Sequence, residues 1–138
     1  MLIARIFTLM TDTTTLTADH EAIARVLGLY LEGSRQGKSD LMKLAFHPEA
    51  SFFGYAGPGL AVGTAFLFDW IDRNGAAPMI VPWIVSVDIL DSLAVVHLDV
   101  AGWSGTLAGS GVRMTDIFTL LRTPEGWTII QKAFHWHG

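Results

Sequence analysis

The sequence contains no cysteine. That removes disulfides, thiolate metal sites and cysteine nucleophiles together. It is compatible with a reducing cytoplasm, the compartment expected here. Charge is also scarce, at 16% of residues against about a quarter in an average domain. The 9 Lys and Arg face 13 Asp and Glu, for a net charge of −4, and they form no basic run. Phosphate backbones are held by clustered cations, so nucleic acid is not an expected partner. No run of about 18 uninterrupted apolar residues occurs, so neither is a membrane. Phosphate-binding loops and dinucleotide fingerprints are missing. The glycine-rich stretch 102–111 falls between strands, with no helix N-terminus to hold phosphate. No cofactor is expected.

What is present is apolar material. Hydrophobic residues make up 51% of the 138 residues, and the mean hydropathy is +0.41. Disorder is thereby excluded, and the length suits one domain. A domain this small has little interior, so part of the surplus is expected in an oligomer interface or a ligand cavity. Residues 1–17 read as an N-terminal arm, and 18–138 as the domain. The apolar stretch 1–9 is unlike the rest of the chain, which makes Met10 a candidate natural start; a frayed arm is the alternative.

Periodicity predicts a helix over 18–34, capped by Thr17, with Ile23, Val26, Leu27, Tyr30 and Ser34 on one face. A short helix capped by Ser39 turns Leu41, Leu44 and Ala45 inward, and His47-Pro48 stops it. Residues 50–63 read as a hairpin turning at Gly57-Pro58-Gly59. Thr64 caps a third helix over 65–73, with Leu67, Trp70 and Ile71 inward. The rest reads as strands over 79–90, 93–103, 112–122 and 127–136, with turns at Asp91-Ser92 and 123–126. Three helices followed by an antiparallel meander give an α+β domain.

Alternation assigns faces. Ala94, Val96, Leu98 and Val100 form an apolar side, as do Trp83, Val85, Val87 and Ile89, and these sides belong under the helices. His97, Asp99 and Trp103 fall on the mixed side, which suits an interface with a second copy of the chain. A homodimer through the outer sheet face is therefore expected.

Several motifs resemble the nuclear transport factor 2-like superfamily. They are Tyr30-Leu31-Glu32-Gly33-Ser34, the run Phe46-His47-Pro48-Glu49-Ala50-Ser51-Phe52, then Asp91-Ser92-Leu93-Ala94-Val95-Val96. Met114-Thr115-Asp116-Ile117-Phe118-Thr119-Leu120-Leu121 and Gly126-Trp127-Thr128-Ile129-Ile130-Gln131-Lys132 complete the set. Within the superfamily the chain is most similar to the small bacterial family labelled Putative lumazine-binding. The resemblance covers about 18–136. It implies a curved sheet wrapped by helices into a cone with one deep pocket. It also implies dimers packed through the outer face of the sheet. It does not choose a chemistry, because relatives include isomerases, dehydratases, polyketide cyclases, transport factors and proteins without known activity.

Tyr30 and Asp116 are the leading site candidates. A carboxylate on the strand face of Met114, Phe118 and Leu120 is costly when ionised and unpaired, and tends to stay protonated. The resemblance places these two residues where ketosteroid isomerases bind an oxyanion with a Tyr and a protonated Asp. The isomerase base on the first strand has no counterpart, since Gly54 and Tyr55 occupy that region. The structural alternatives are a core tyrosine bonded to backbone and a buried acid tied to Arg113 or Thr115. His135 is a candidate base at the mouth of the cone, against an exposed or interface histidine. With His137 it forms H-x-H, but no third ligand is visible and no metal is expected. His47 is expected to bond locally, and His97 to pair with Asp99 on the outer face. Trp70, Trp83 and Phe118 are candidate ligand walls, and core packing explains them equally well. The function these residues suggest is binding of a small apolar or aromatic molecule. The alternative is an isomerase, dehydratase or cyclase polarising a carbonyl or enol oxygen.

Overall fold

The computed structural model describes residues 13–103, 105 and 113–137. Residues 1–12, with the candidate start at Met10, and most of the glycine-rich loop lie outside them. The elements in order are α1 (Thr13–Gln36), α2 (Ser39–Lys43), β1 (Phe46–Ala56), β2 (Gly59–Val62), α3 (Thr64–Asn74), β3 (Val81–Leu90), β4 (Leu93–Ala101), β5 (Arg113–Thr123) and β6 (Gly126–Trp136). One six-stranded curved sheet, open at both edges, has the order β2-β1-β6-β5-β4-β3. Only the β1–β6 pairing is parallel. The α+β class is as expected.

Helix α1 begins at Thr13, so Thr17 lies inside it instead of capping it. Its buried stripe starts with Asp19 and continues through Ile23, Leu27, Tyr30 and Ser34 at steps of four and three. Asp19 accepts from Arg122 at 2.6 Å and from the Trp127 indole at 3.3 Å. This anchors α1 on the β5–β6 hairpin, and Tyr30 lies about 16 Å further along the axis. The helix ends in a Schellman turn. Gly37 has φ +67°, and Lys38 N–H bonds the Gly33 carbonyl at 2.9 Å.

Of the expected inward set, Ala45 is buried and Leu41 half-buried, but Leu44, just past α2, faces solvent at 68% exposure, and the helix buries Met42 instead. The helix is barely more than one turn, so no stripe can form, and position is set by what meets α1. Gly33 lets Met42 approach closely; a Cβ there would lie 2.7 Å from the Met42 nitrogen. Ser39 does not cap α2 either. Lys38 holds the cap position, and the Ser39 hydroxyl and N–H both bond Asp72 of α3, at 2.7 and 3.0 Å. At α3 the cap position belongs to Gly63, with Thr64 already helical. His47 and Pro48 lie in β1, and His47 Nδ1 accepts from Glu49 N–H, a local bond as expected.

Ala94, Val96, Leu98 and Val100 are fully buried under the helices. The same alternation fails on two other strands of the sheet. In β3, Ile84 faces Leu98 while Ser86 faces His97, leaving Val85 as a bulge. In β6, Ile129 faces Leu120 while Gln131 faces Thr119, leaving Ile130 unpaired. Each extra residue moves every side chain beyond it to the opposite face.

Candidate functional site

The β6 bulge decides what stands inside the curve of the sheet. Trp127 and Ile129 face inward, and after Ile130 the inward positions become Lys132, Phe134 and Trp136. A lysine therefore enters the core, buried to 3% exposure. On β5, Asp116 is fully buried, and α1 brings Tyr30 over both strands. The Lys132 ammonium donates to the Tyr30 hydroxyl at 2.7 Å. The Tyr30 hydroxyl in turn donates to Asp116 Oδ2 at 2.9 Å. The other carboxylate oxygen, Oδ1, stands 3.4 Å from Lys132 Nζ and receives no hydrogen bond.

Charge is expensive here. Burial pushes the Asp116 carboxyl above the usual carboxylate range, although Lys132 and the Tyr30 hydroxyl pull the other way. Burial pulls the Lys132 ammonium below the usual lysine value, against the opposing influence of Asp116. Tyr30 is raised well above an ordinary phenol, first by burial and then by Asp116. The acid and the amine are thus drawn toward each other in proton affinity and titrate as a coupled pair.

Beside this triad opens a cavity of about 260 Å3. Trp70, Trp103, Phe52, Phe134 and Trp136 wall it, Lys132 is the one charged lining residue among those described, and exposed Ala56 and Phe66 form its rim. Among the described residues the buried indole N–H groups of Trp103 and Trp136 have no partner. Phe134 lies flat over Gly54, where a Cβ would fall 2.2 Å from its ring.

Tyr30 and Asp116 are therefore brought together, with Lys132 as the group that carries them to the cavity wall. Neither Arg113 nor Thr115 holds Asp116. Trp70 lines the cavity. Phe118 packs edge-on against Tyr30, ring centroids 5.1 Å apart, and forms core behind the triad. Three placements differ from expectation. Trp83 faces Asp99 on the outer side of the sheet at 41% exposure, because the Val85 bulge reverses its parity. Trp103 is on the inner side at 5% exposure, because the chain turns at Gly102, φ +80°, after β4 has ended. It packs against Tyr30 and Trp70. His135 pairs with Thr115 and Tyr55 on the outer face and is exposed, again because of the Ile130 bulge. It does not reach the triad.

The outer face carries its own polar chain. His97 bonds Asp99 at 3.2 Å, the Thr115 hydroxyl donates to Asp99 at 2.7 Å, and that hydroxyl meets His137 Nε2 at 2.6 Å. The bond from Thr115, with His97 adding to it, holds Asp99 below the usual carboxylate range. Among the described residues no group of three or more His, Cys, Asp or Glu could hold a metal ion. Nor is any described helix long and apolar enough to cross a membrane.

Lys132 is the residue that sequence reading did not single out. Its signal was the Ile129-Ile130 pair, two consecutive apolar residues that interrupt alternation just ahead of a lone lysine between aromatics.

Comparison with known proteins agrees with this architecture. A nuclear transport factor 2-like protein of unknown function from Methylobacillus flagellatus KT superposes with a TM-score of 0.79 at 31% identity, over 88% of this chain and 94% of its own. Another from Shewanella baltica OS155 gives 0.78 at 32% identity, over 88% and 96%. Aldolase FrzH of Cladobotryum sp is 22% identical over 120 residues, 86% of this chain and 92% of that protein. The model of the family described as Putative lumazine-binding matches residues 18–135, and the chain belongs to that family, within the nuclear transport factor 2-like fold.

Proposed function

We propose that the protein binds a small, flat, largely apolar molecule carrying at least one oxygen acceptor, in the cavity beside Lys132. One observation carries this reading. A cavity whose other described lining residues are apolar, mostly aromatic, holds a buried ammonium, backed by a hydroxyl and a carboxyl that orient it. Apolar walls supply affinity by removing ring surface from water, and one fixed cation supplies orientation. A 150 Å3 cavity accommodates benzene, so about 260 Å3 suits one or two fused rings. Native mass spectrometry of the purified protein tests the reading. A retained ring compound supports it; a bare protein whose tryptophan fluorescence responds to no aromatic carbonyl or carboxylate counts against it.

A catalytic role is the second reading, and the coupled Asp116–Lys132 pair favours it. An enzyme needs a proton acceptor and donor positioned at the substrate. Two groups of drawn-together proton affinity can serve as both, with Tyr30 as a bridging hydroxyl. The relative described as an aldolase gives this reading a precedent among similar chains. Turnover of an aromatic carbonyl substrate that Asp116→Asn abolishes, with the fold intact, would move the function to this class.

The protein is further proposed to act as a homodimer through the outer sheet face. Phe53, Tyr55, Trp83 and Ile117 are 47%, 59%, 41% and 38% exposed there, around the His97–Asp99–Thr115 chain. Such a patch suits a partner surface better than water.

A further inference from the structure

Lys132 is one of three lysines in the sequence. Lys38 and Lys43 are exposed near α2, whereas Lys132 ends at the cavity wall. Its nitrogen has an acceptor beside it that is not otherwise engaged, Asp116 Oδ1 at 3.4 Å. Four ring centroids surround it, Tyr30 at 4.8 Å, Phe52 at 5.3 Å, Phe134 at 5.4 Å and Trp103 at 5.8 Å.

From this arrangement we infer that Lys132 is an amine nucleophile that condenses reversibly with an aldehyde or ketone of a ring-bearing ligand, forming an imine. The inference rests on the proposed binding of a ring compound and specifies the chemical class of that ligand. Asp116 Oδ1 takes one proton from the ammonium, and the freed nitrogen pair attacks the carbonyl carbon. The C–O π pair moves onto oxygen, which takes one of the two protons left on nitrogen to give the carbinolamine. That oxygen then leaves as water, carrying the proton that Asp116 returns, when the nitrogen pair forms the C=N bond. An ammonium and a carbonyl become an iminium and one water, with charge conserved and no oxidant or reductant. The positive charge stays on the same nitrogen, so the aromatic faces that stabilise the ammonium stabilise the iminium as well. The largely apolar cavity disfavours the return of water.

The test traps the imine on the wild-type protein. The protein is incubated near neutral pH with 2-naphthaldehyde and sodium cyanoborohydride, and the sites of reductive alkylation are mapped by peptide mass. Lys132 is expected to be labelled at least about tenfold faster than Lys38 and Lys43, with a rate that saturates in aldehyde. Lys132→Arg should lose the fast label while its circular dichroism stays that of the wild type. Label confined to Lys38, Lys43 and the amino terminus, with saturable quenching of tryptophan fluorescence by the aldehyde, overturns the imine and leaves binding standing. Absence of both fast label and quenching overturns the imine and removes support for the binding reading together.

Discussion

The Lys132 ammonium and the Tyr30 hydroxyl lie 2.7 Å apart across 102 residues of chain, and neither is exposed. That hydroxyl also donates to Asp116, so one oxygen satisfies two buried partners. Tyr30→Phe removes it while keeping the ring that packs on Phe46, Phe118 and Trp103. One Lys132 proton and Asp116 Oδ2 are then left without it. A loss of about 1–3 kcal/mol in unfolding free energy is expected, measured in urea. Loss of ring-ligand affinity without that stability change would mean the triad is held by other contacts.

Lys132→Met should cost more than Tyr30→Phe. The stem volume is kept, but Asp116 loses its cation in a fully buried setting. Breaking one side of a buried ion pair costs about 3–5 kcal/mol, less where the acid can escape by protonation. Adding Asp116→Asn removes the stranded charge. The double variant is therefore expected to melt above Lys132→Met alone, giving a positive coupling in a double-mutant cycle. Additive losses would mean that the two groups do not sense each other.

Gly54 sets the shape of the cavity. It faces Phe134 across the parallel β1–β6 pair, and the added methyl of Gly54→Ala would overlap that ring. The ring must swing away, toward the cavity it lines. The substitution is expected to cost about 1–3 kcal/mol as overpacking and to weaken binding of the larger ring ligands first. A crystal structure of the variant with Phe134 unmoved would refute this.

Much of the fold was readable in the chain. The stripe Ile23, Leu27, Tyr30 and Ser34, the run Ala94 to Val100 and the turns at Asp91-Ser92 and Gly126 all act locally, so periodicity and turn chemistry reach them. The meeting of Tyr30 with Asp116 was readable too, since each sits on an apolar face with one place to go. What was not readable depends on registers between strands. A single unpaired residue, Val85 or Ile130, sends Trp83 and His135 outward and Lys132 inward. Nothing in a period-two pattern tells which of two adjacent apolar residues will be the extra one. Trp103 was misplaced for the same kind of reason, because Gly102 takes the chain out of the strand.

The outer face gives a prediction of assembly. Ile117 faces His97 at the middle of that surface, and Trp83 faces Asp99. If a second copy covers them, Ile117→Lys places a charge in a desolvated patch and should yield a 15 kDa species by sedimentation equilibrium. The wild type should sediment as twice that mass at micromolar concentration. The inner cavity lies on the opposite side of the sheet, so aldehyde labelling at Lys132 should survive in the monomer.

The buried acid and amine also predict an unusual pH profile. Stability rises with pH wherever the unfolded chain holds more protons than the folded one. Asp116 has its folded value raised above the ordinary 3.8, so above that pH the folded state holds the extra proton and stability falls as pH climbs toward the raised value. Lys132 has its folded value lowered beneath the ordinary 10.5. Between the two the unfolded chain holds the extra proton, so stability rises with pH through that window. The pair therefore contributes a trough between its acid and alkaline windows, where both groups are ionised in the unfolded chain and burial opposes that state in the folded one. Tyr30, raised above 10.0, adds a falling slope beyond that pH, which sets the useful upper limit of the experiment. The observable is the unfolding free energy of the wild type minus that of Asp116→Asn/Lys132→Met, taken from pH 4 to just under 10. The subtraction cancels surface carboxylates such as Asp72 and Glu32 that titrate alike in both proteins. The difference should be smallest at intermediate pH and grow toward both ends. A maximum at intermediate pH would mean that the ion pair more than repays its desolvation, with Asp116 lowered and Lys132 raised instead.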